Sequence, residues 1–432
     1  MKKSLLKLRI ILLLVATMAS LSVATAQTLP RIDLTDLGDT LSEETPVTAI
    51  FTITYYDTAT AEQRQESYAC RVNHRGATSM LYDKNSMEVR FVDSIGDDLD
   101  VNLLGIRTGL DKYILDAVAA DRSHMRNRVA MDIFTSFARL PYGTDYDRRY
   151  STVGRFVEVW IEGEYEGLFC LSDPINRKLL DCKKPQNGLV RGVLYKCGSY
   201  GDGAFLESDG TAPDSSDEWN AWSMKYPNDP SPEAWQPLRQ LMNAPWDSVA
   251  DSAYTALVGE HFYMDNLVDV YLFVVMLGIG DFGYKNCYLA CPNTQSDSRF
   301  VVVPWDLDHS IGSTWNAFYM NTPVTLRGQS NLWRVRPFRR LLEDEALGFY
   351  EALAERWYAL KDGPLSTDSV SAIIQGYATL LDSTQAWQHD REKWNDIPIY
   401  FYETAQQEAN YMIQWYQRSH ARLTELLEAY RR

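Results

Sequence analysis

The sequence predicts an α+β protein: a β-rich first half, a polar joint, and a helical second half with one β-hairpin set into it. Three observations carry this expectation. Short β-branched or aromatic runs with polar punctuation recur at 47–56, 66–73, 87–92, 156–161 and 188–196. Composition then shifts to Gly, Asp, Ser and Pro between Gly198 and Pro232, as at a loop or lobe boundary. Beyond it, apolar residues fall at helical spacing over long stretches.

Taken in order, Gly163–Gly167 is a turn joining Val157–Ile161 to Leu168–Cys170 as a hairpin. A helix is expected over 126–140, where Val129, Ile133 and Phe137 recur at four-residue steps. After the joint, helices are expected over 232–242, 260–277, 337–360 and 370–381, followed by a long last helix. In that helix Ala405, Ala409, Met412, Tyr416, Leu423 and Leu427 form a core-facing stripe. Two short strands, 287–290 and 300–303, interrupt the helices. The expected organisation is a leader at 1–26, a linker at 27–45 and one domain over 46–432. That domain divides into a β-rich lobe (about 46–200), the joint (about 198–232) and a helical lobe (about 232–432).

The leader reading rests on Lys2, Lys3, Lys7 and Arg9, an apolar run from Ile10 to Ala16, and the small-residue end Ala24-Thr25-Ala26. This is the pattern of a secretory signal cut after Ala26, and the run is too short to anchor in a bilayer. With no Cys at the cut, the expectation is an exported protein, periplasmic or extracellular, without a lipid or transmembrane anchor. The net charge is −16, and losing the four leader cations takes it to −20. Such an acidic chain excludes duplex nucleic acid as its main partner, though not a local basic pocket for a small anion. Six cysteines are few for an exported chain of 432 residues. Cys287 and Cys291 flank a strand spanning about 13 Å, too far for a disulfide, and buried free thiols are expected.

The embedded hairpin holds the most chemistry. It begins Gly280-Asp281-Phe282-Gly283-Tyr284-Lys285-Asn286 and ends Val303-Pro304-Trp305-Asp306-Leu307-Asp308. Asp281 follows the apolar helix, Asn286 enters the first strand, and Asp306 and Asp308 leave the second. Three carboxylates and an amide gathered there call for a hard divalent cation and the phosphates it carries. Phosphoryl transfer needs these parts: a carboxylate for the attacking hydroxyl, and an Asn with an Asp on Mg²⁺. Asp281-Phe282-Gly283 spells a kinase metal-binding tripeptide. With Asn286 five residues on, however, Asp281 fits the catalytic-loop role and Asp306 the metal role.

At this hairpin the sequence resembles the CotH-type atypical protein kinases, first associated with spore coats. The resemblance runs from about residue 47 to the C-terminus. Asn73-His74-Arg75-Gly76-Ala77-Thr78-Ser79 is similar to the family's Arg-Gly-Asn-Ser-Ser block, and Asp121 to Asn127 to its Asp-x-Ser-x-x-Arg-Asn. Val157–Leu168 resembles its Gly-x-Tyr-x-Gly hairpin, and Leu194-Tyr195-Lys196 its Leu-Tyr-Lys. The segments from Asp281 to Tyr288 and Pro304 to Gly312 resemble its catalytic and metal blocks most closely. The resemblance implies a divergent two-lobed protein-kinase-like fold that uses ATP and Mg²⁺ (or Mn²⁺) to phosphorylate Ser, Thr or another hydroxyl on a protein or other acceptor. It makes Asp281 the catalytic acid/base and Asn286 and Asp306 metal ligands, with Asp308 an auxiliary acid at the metal. Arg75 and Lys196 are candidates for phosphate contacts. Asp173 stands where the family has a Glu and would pair with a lysine that positions the nucleotide.

Other readings remain at this level. A kinase-fold protein without catalysis could serve as a surface or envelope binding module, and the shorter Asp173 favours that. Twelve Trp and 26 Tyr admit a secreted carbohydrate-active enzyme, but Asp306 and Asp308 share one face, whereas a glycosidase needs acids facing across its substrate. An exported kinase also needs a source of ATP outside the cytoplasm, another donor, or action before export.

Overall fold

A computed structural model describes residues 28–142, 149–199, 201–207, 211–283, 285–314, 319–327, 332–394 and 402–431. Residues 1–26, read from the sequence as a leader, lie outside the described residues. The model is α+β, as the sequence predicts. Its first body is a closed seven-stranded barrel of β1 (Arg31–Thr35), β2 (Val47–Asp57), β3 (Glu62–Arg75), β4 (Ser86–Phe91), β5 (Lys112–Asp116), β6 (Gly154–Ile161) and β7 (Glu164–Ser172). Strand alternation aims Val47, Ala49, Phe51 and Ile53 of β2 inward, where they meet Val72, Val89, Phe91, Tyr113, Val159 and Phe169 in a core of the barrel's own.

The barrel corrects one boundary. Arg31–Thr35 lies in the stretch read as a linker, yet it pairs antiparallel with β2 and parallel with β6, and so closes the barrel. Ile32 and Leu34 are fully buried by that pairing. β5, a five-residue run, was also absent from the sequence reading.

A second sheet has the order β12-β11-β8-β10-β9, formed by β8 (Val193–Cys197), β9 (Glu218–Trp219), β10 (Trp222–Tyr226), β11 (Cys287–Cys291) and β12 (Val301–Pro304). Two expectations change here. The strand ending at Lys196 leaves the β-rich half to pair with β11, and the polar joint supplies two strands of its own. The embedded hairpin is therefore one edge of a larger sheet.

Helices pack around this sheet: α1 (Arg126–Phe137), α2 (Pro232–Met242), α3 (Asp251–His261), α4 (Met264–Leu277), α5 (Arg336–Glu343), α6 (Phe349–Leu360), α7 (Thr367–Ser383), α8 (Ala386–Lys393) and α9 (Ala405–Glu428). α2 starts where expected because Ser231 accepts a hydrogen bond from the Ala234 N–H, with Pro232 in the first turn. The helix expected over 260–277 is α4, which begins at Met264 because α3 runs to His261, and that expected over 337–360 is two, α5 and α6. α4 is buried on every side from Asn266 to Leu277, and its Asp269 is held by the Arg356 guanidinium at 2.6 and 3.1 Å. Among the described residues no helix is long and apolar enough to cross a membrane.

Candidate active site

α4 stops at Gly278, whose φ of 62° lies in the left-handed region and lets Ile279 N–H donate to Val274 O. A side chain there would also strike the Trp415 ring, 2.9 Å from the position of a Cβ. The sharp stop carries the chain to Asp281 at the mouth of the second sheet. β11 and β12 then bring Asn286 and Asp306 alongside, because Cys287 pairs with Pro304 and the Trp305 N–H donates to Asn286 O at 3.0 Å. Both Asn286 and Asp306 have a φ of 58°. Asn and Asp tolerate this left-handed backbone best among residues with a side chain, and such strain tends to collect at functional positions.

Asp281 is 3% exposed. Its Oδ2 accepts from Asn286 Nδ2 at 2.7 Å and faces His309 Nδ1 at 3.3 Å and Lys285 Nζ at 3.9 Å. Its Oδ1 is buried and, among the described residues, has no hydrogen-bond partner. His309 Nε2 in turn lies 3.8 Å from Asp308 Oδ2, so the imidazole sits between two carboxylates. Burial, and then the neighbouring Asp281 charge, raise the Asp306 carboxyl above the ordinary range. Burial also pushes Asp308 up to about 8, against the pull of His309 and with the help of Asp306 and Asp281. Burial disfavours the His309 imidazolium, yet Asp308 and Asp281 outweigh it and push its pKa up to about 9. Three carboxylates this close and this buried do not all ionise without added positive charge, which is why Asp306 and Asp308 are held toward their protonated forms.

These residues open onto a cleft of about 370 Å³ between the barrel and the second sheet. Arg75, at the end of β3, and Lys196, in β8, line the same cleft, and among the described residues neither forms an ion pair. The Arg75 guanidinium lies 5.8 Å from the centre of the Trp305 ring. Burial, with Arg75 second, lowers Lys196 to about 8, while Asp306 opposes that fall. In an acidic protein, two unpaired cations beside an acid cluster are what a metal-bound polyphosphate requires.

Of the sequence candidates, Arg75, Lys196, Asn286, Asp306 and Asp308 thus line one cleft, with Asp281 directly behind Asn286. Asp173 does not join them. It is fully buried, accepts from the Val153 N–H at 2.7 Å and pairs with Arg107, so it makes no contact with Lys196.

Three residues went unnoticed in the sequence. Asn127 donates to Asp116 at 3.0 Å and accepts from the Leu307 N–H at 3.3 Å, which braces the backbone between Asp306 and Asp308. Asp116 ends β5 on the cleft wall. Lys84, just before β4, is 1% exposed and pairs at 2.5 Å with Asp390 of α8. Asn127 closes the block quoted for the family resemblance, so a signal for it was present. For Lys84 and Asp390, 306 positions apart, there was none.

The fit to a divalent cation can be judged from the donors. Asn286 commits its amide nitrogen to Asp281 and to the Asp306 carbonyl, at 3.3 Å, leaving its oxygen for a cation. Asp281 Oδ1 and the Asp306 carboxylate are hard oxygen donors with a charge deficit to fill. Among the described residues no three His, Cys, Asp or Glu side chains form a ready-made metal cage. Mg²⁺ on a nucleotide does not need one, because it takes one or two carboxylates and completes its shell with phosphates and water.

A family model described as CotH kinase protein matches residues 72–423. The chain belongs to the CotH kinase family. Membership implies a kinase-type activity that uses ATP, a divalent metal and a hydroxyl acceptor. The matched span includes Arg75, Lys84, Lys196 and the whole Asp281–His309 cluster, and ends within α9. No curated protein matches the chain.

Proposed function

We propose that this chain is an exported, two-lobed kinase that transfers the γ-phosphoryl group of ATP to a Ser, Thr or other hydroxyl. The observation that carries the reading is that Asn286 and Asp306 line one cleft, with Asp281 hydrogen-bonded directly behind Asn286, beside Arg75 and Lys196, which form no ion pair among the described residues. The barrel forms one wall and the second sheet with its helices the other, which is how two kinase lobes enclose a nucleotide. Asn286 and Asp306 would hold the metal, with Asp308 beside them. Bound there, Mg²⁺ (or Mn²⁺) supplies charge neutralisation to the phosphates. Arg75 and Lys196 bind phosphate oxygens. Asp281, held by Asn286 and His309, orients the acceptor hydroxyl and takes its proton as the new O–P bond forms. Asn127 holds the Asp306–Asp308 backbone in register for this.

The chain freed of residues 1–26 is expected to melt higher with ATP and Mg²⁺, by about 2.7 kcal/mol of added stability at 100 times the Kd. Asp306→Ala should abolish that shift, and labelled phosphate should pass to a hydroxyl acceptor. No shift with ATP, GTP or ADP, with either Mg²⁺ or Mn²⁺, would overturn the catalytic reading in favour of a kinase-fold binding module. Export has its own measurement: N-terminal sequencing of the protein outside the cytoplasm should begin at Gln27.

A further inference from the structure

Cys197 and Cys287 stand directly opposite each other in the antiparallel pairing of β8 with β11. They follow Lys196 and Asn286, two residues of the proposed site. Directly opposed residues point to the same face, with Cβ atoms about 4.5–5.5 Å apart. A disulfide needs about 3.5–4.5 Å between Cβ atoms and 4.4–6.8 Å between Cα atoms, so a small approach of the strands suffices. The facing Cys287 side chain, with burial, raises the Cys197 thiol well above its ordinary value.

The other cysteines are placed differently. In the strand register Cys70 faces Ala49 and Phe91, Cys170 faces Asp116 and Phe156, and Cys291 faces Val193. The Cys182 thiol points at Val193 O, 3.7 Å away, and the Cys291 thiol at Asp297 O, at 3.5 Å. Among the described strands, Cys197 with Cys287 is the one register pair made of two cysteines. Cys197 also lines the cleft, although both side chains are at most 5% exposed.

We propose that Cys197 and Cys287 form a cross-strand disulfide that fastens the Lys196 strand to the Asn286 strand beneath the cleft. Two thiols become one S–S bond. Their two electrons and two protons pass to a disulfide-carrying oxidant, such as glutathione disulfide or a dithiol oxidase, which is released as two thiols. Because the sulfurs are buried in the folded sheet, the exchange takes place while the sheet assembles. In the cell the proposal rests on the export reading for its oxidant. A test that supplies the oxidant separates the two.

The full chain is refolded from denaturant with a mixture of oxidised and reduced glutathione. It is then alkylated under denaturing conditions, digested without reductant and mapped by mass spectrometry. The expected result is one linked peptide pair, lighter by two hydrogens than the separate peptides, joining Cys197 to Cys287. Cys70, Cys170, Cys182 and Cys291 are expected to be alkylated. The bridged form should melt several degrees above its reduced form, because a closed loop of about 90 residues restricts the unfolded chain. That difference should vanish in Cys197→Ser/Cys287→Ser. Alkylation of all six cysteines, or a link between another pair, would overturn the proposal, and the mapping needs no variant to fold.

Discussion

Two groups of buried carboxylates in this chain are built from the same residue types and treated in opposite ways. In the seam between the barrel and the helices, Asp121 and Asp390 each meet several donors. Asp121 accepts from the Ser123 hydroxyl and from both the backbone and the side chain of Arg126, at 2.7–2.9 Å. Burial works against its ionisation, yet Arg126 and these donors hold its pKa below the usual range. Asp390 likewise accepts from Lys84 Nζ and the Leu168 N–H. Gly167, at φ 139°, leaves room for that carboxylate, since a Cβ there would lie 2.4 Å from Asp390 Oδ1. In the cleft, Asp306 and Asp308 are pushed upward instead, chiefly by burial. Burial is common to both groups, so what separates them is whether the fold itself provides the countercharge. A balanced group holds the molecule together; an unbalanced one is prepared for a ligand.

The comparison can be pressed hardest at Asp281. Asp281→Asn keeps the shape and removes the proton acceptor, so phosphoryl transfer should fall by about 10²–10⁴-fold in a kinetic assay. Its urea midpoint should stay close to that of the parent. A large loss of stability would mean that Asp281 belongs with the structural group. At Asp390 the outcome should be the reverse. Asp390→Ala strands the fully buried Lys84 ammonium and should cost about 3–5 kcal/mol in chemical denaturation. Lys84→Met with Asp390→Leu should recover most of that loss, because a packed apolar pair removes the stranded charge.

The smallest effect belongs to Lys196. Its folded pKa, about 8, lies below the ordinary 10.5, chiefly through burial. The unfolded chain therefore binds more protons between those values, and this group makes the ligand-free protein more stable as pH rises through that window. Phosphate binding draws on the charged form, so nucleotide affinity should weaken over the same pH range. Titration calorimetry at a series of pH values should show that slope, and Lys196→Met should flatten it. An unchanged slope in the variant would remove Lys196 from the phosphate site.

Elements whose cause is local were legible in advance. α2 was read to the residue because Ser231 and Pro232 mark its start, and α4 was found with its end at Leu277 because the apolar run from Leu267 on holds only Asp269. Elements defined by a distant partner were missed or misplaced. β1 is five residues long and becomes a strand by pairing with β2 and β6, the latter more than 100 positions away. The site followed the same division. Asp281, Asn286, Asp306 and Asp308 share one hairpin and were found together, whereas Lys84, Asp390 and the Cys197–Cys287 pairing are joined across long stretches of chain. Asp173 was assigned by its place in a family pattern, and its position against Arg107 and Val153 could not be read from its neighbours in sequence.

By itself, the sequence determined the α+β class, most of the helices after the joint, the acidic balance and the chemistry concentrated at one hairpin. Periodicity, capping and turn residues act over a few positions and need no partner to be recognised. Tertiary structure alone decided that seven strands close into a barrel and that β8 crosses to the second sheet. It also decided which buried acids receive a countercharge. Those outcomes depend on what burial brings together, and a charge pair or a strand register has no energy until its two halves, far apart in the chain, share the same low-dielectric space.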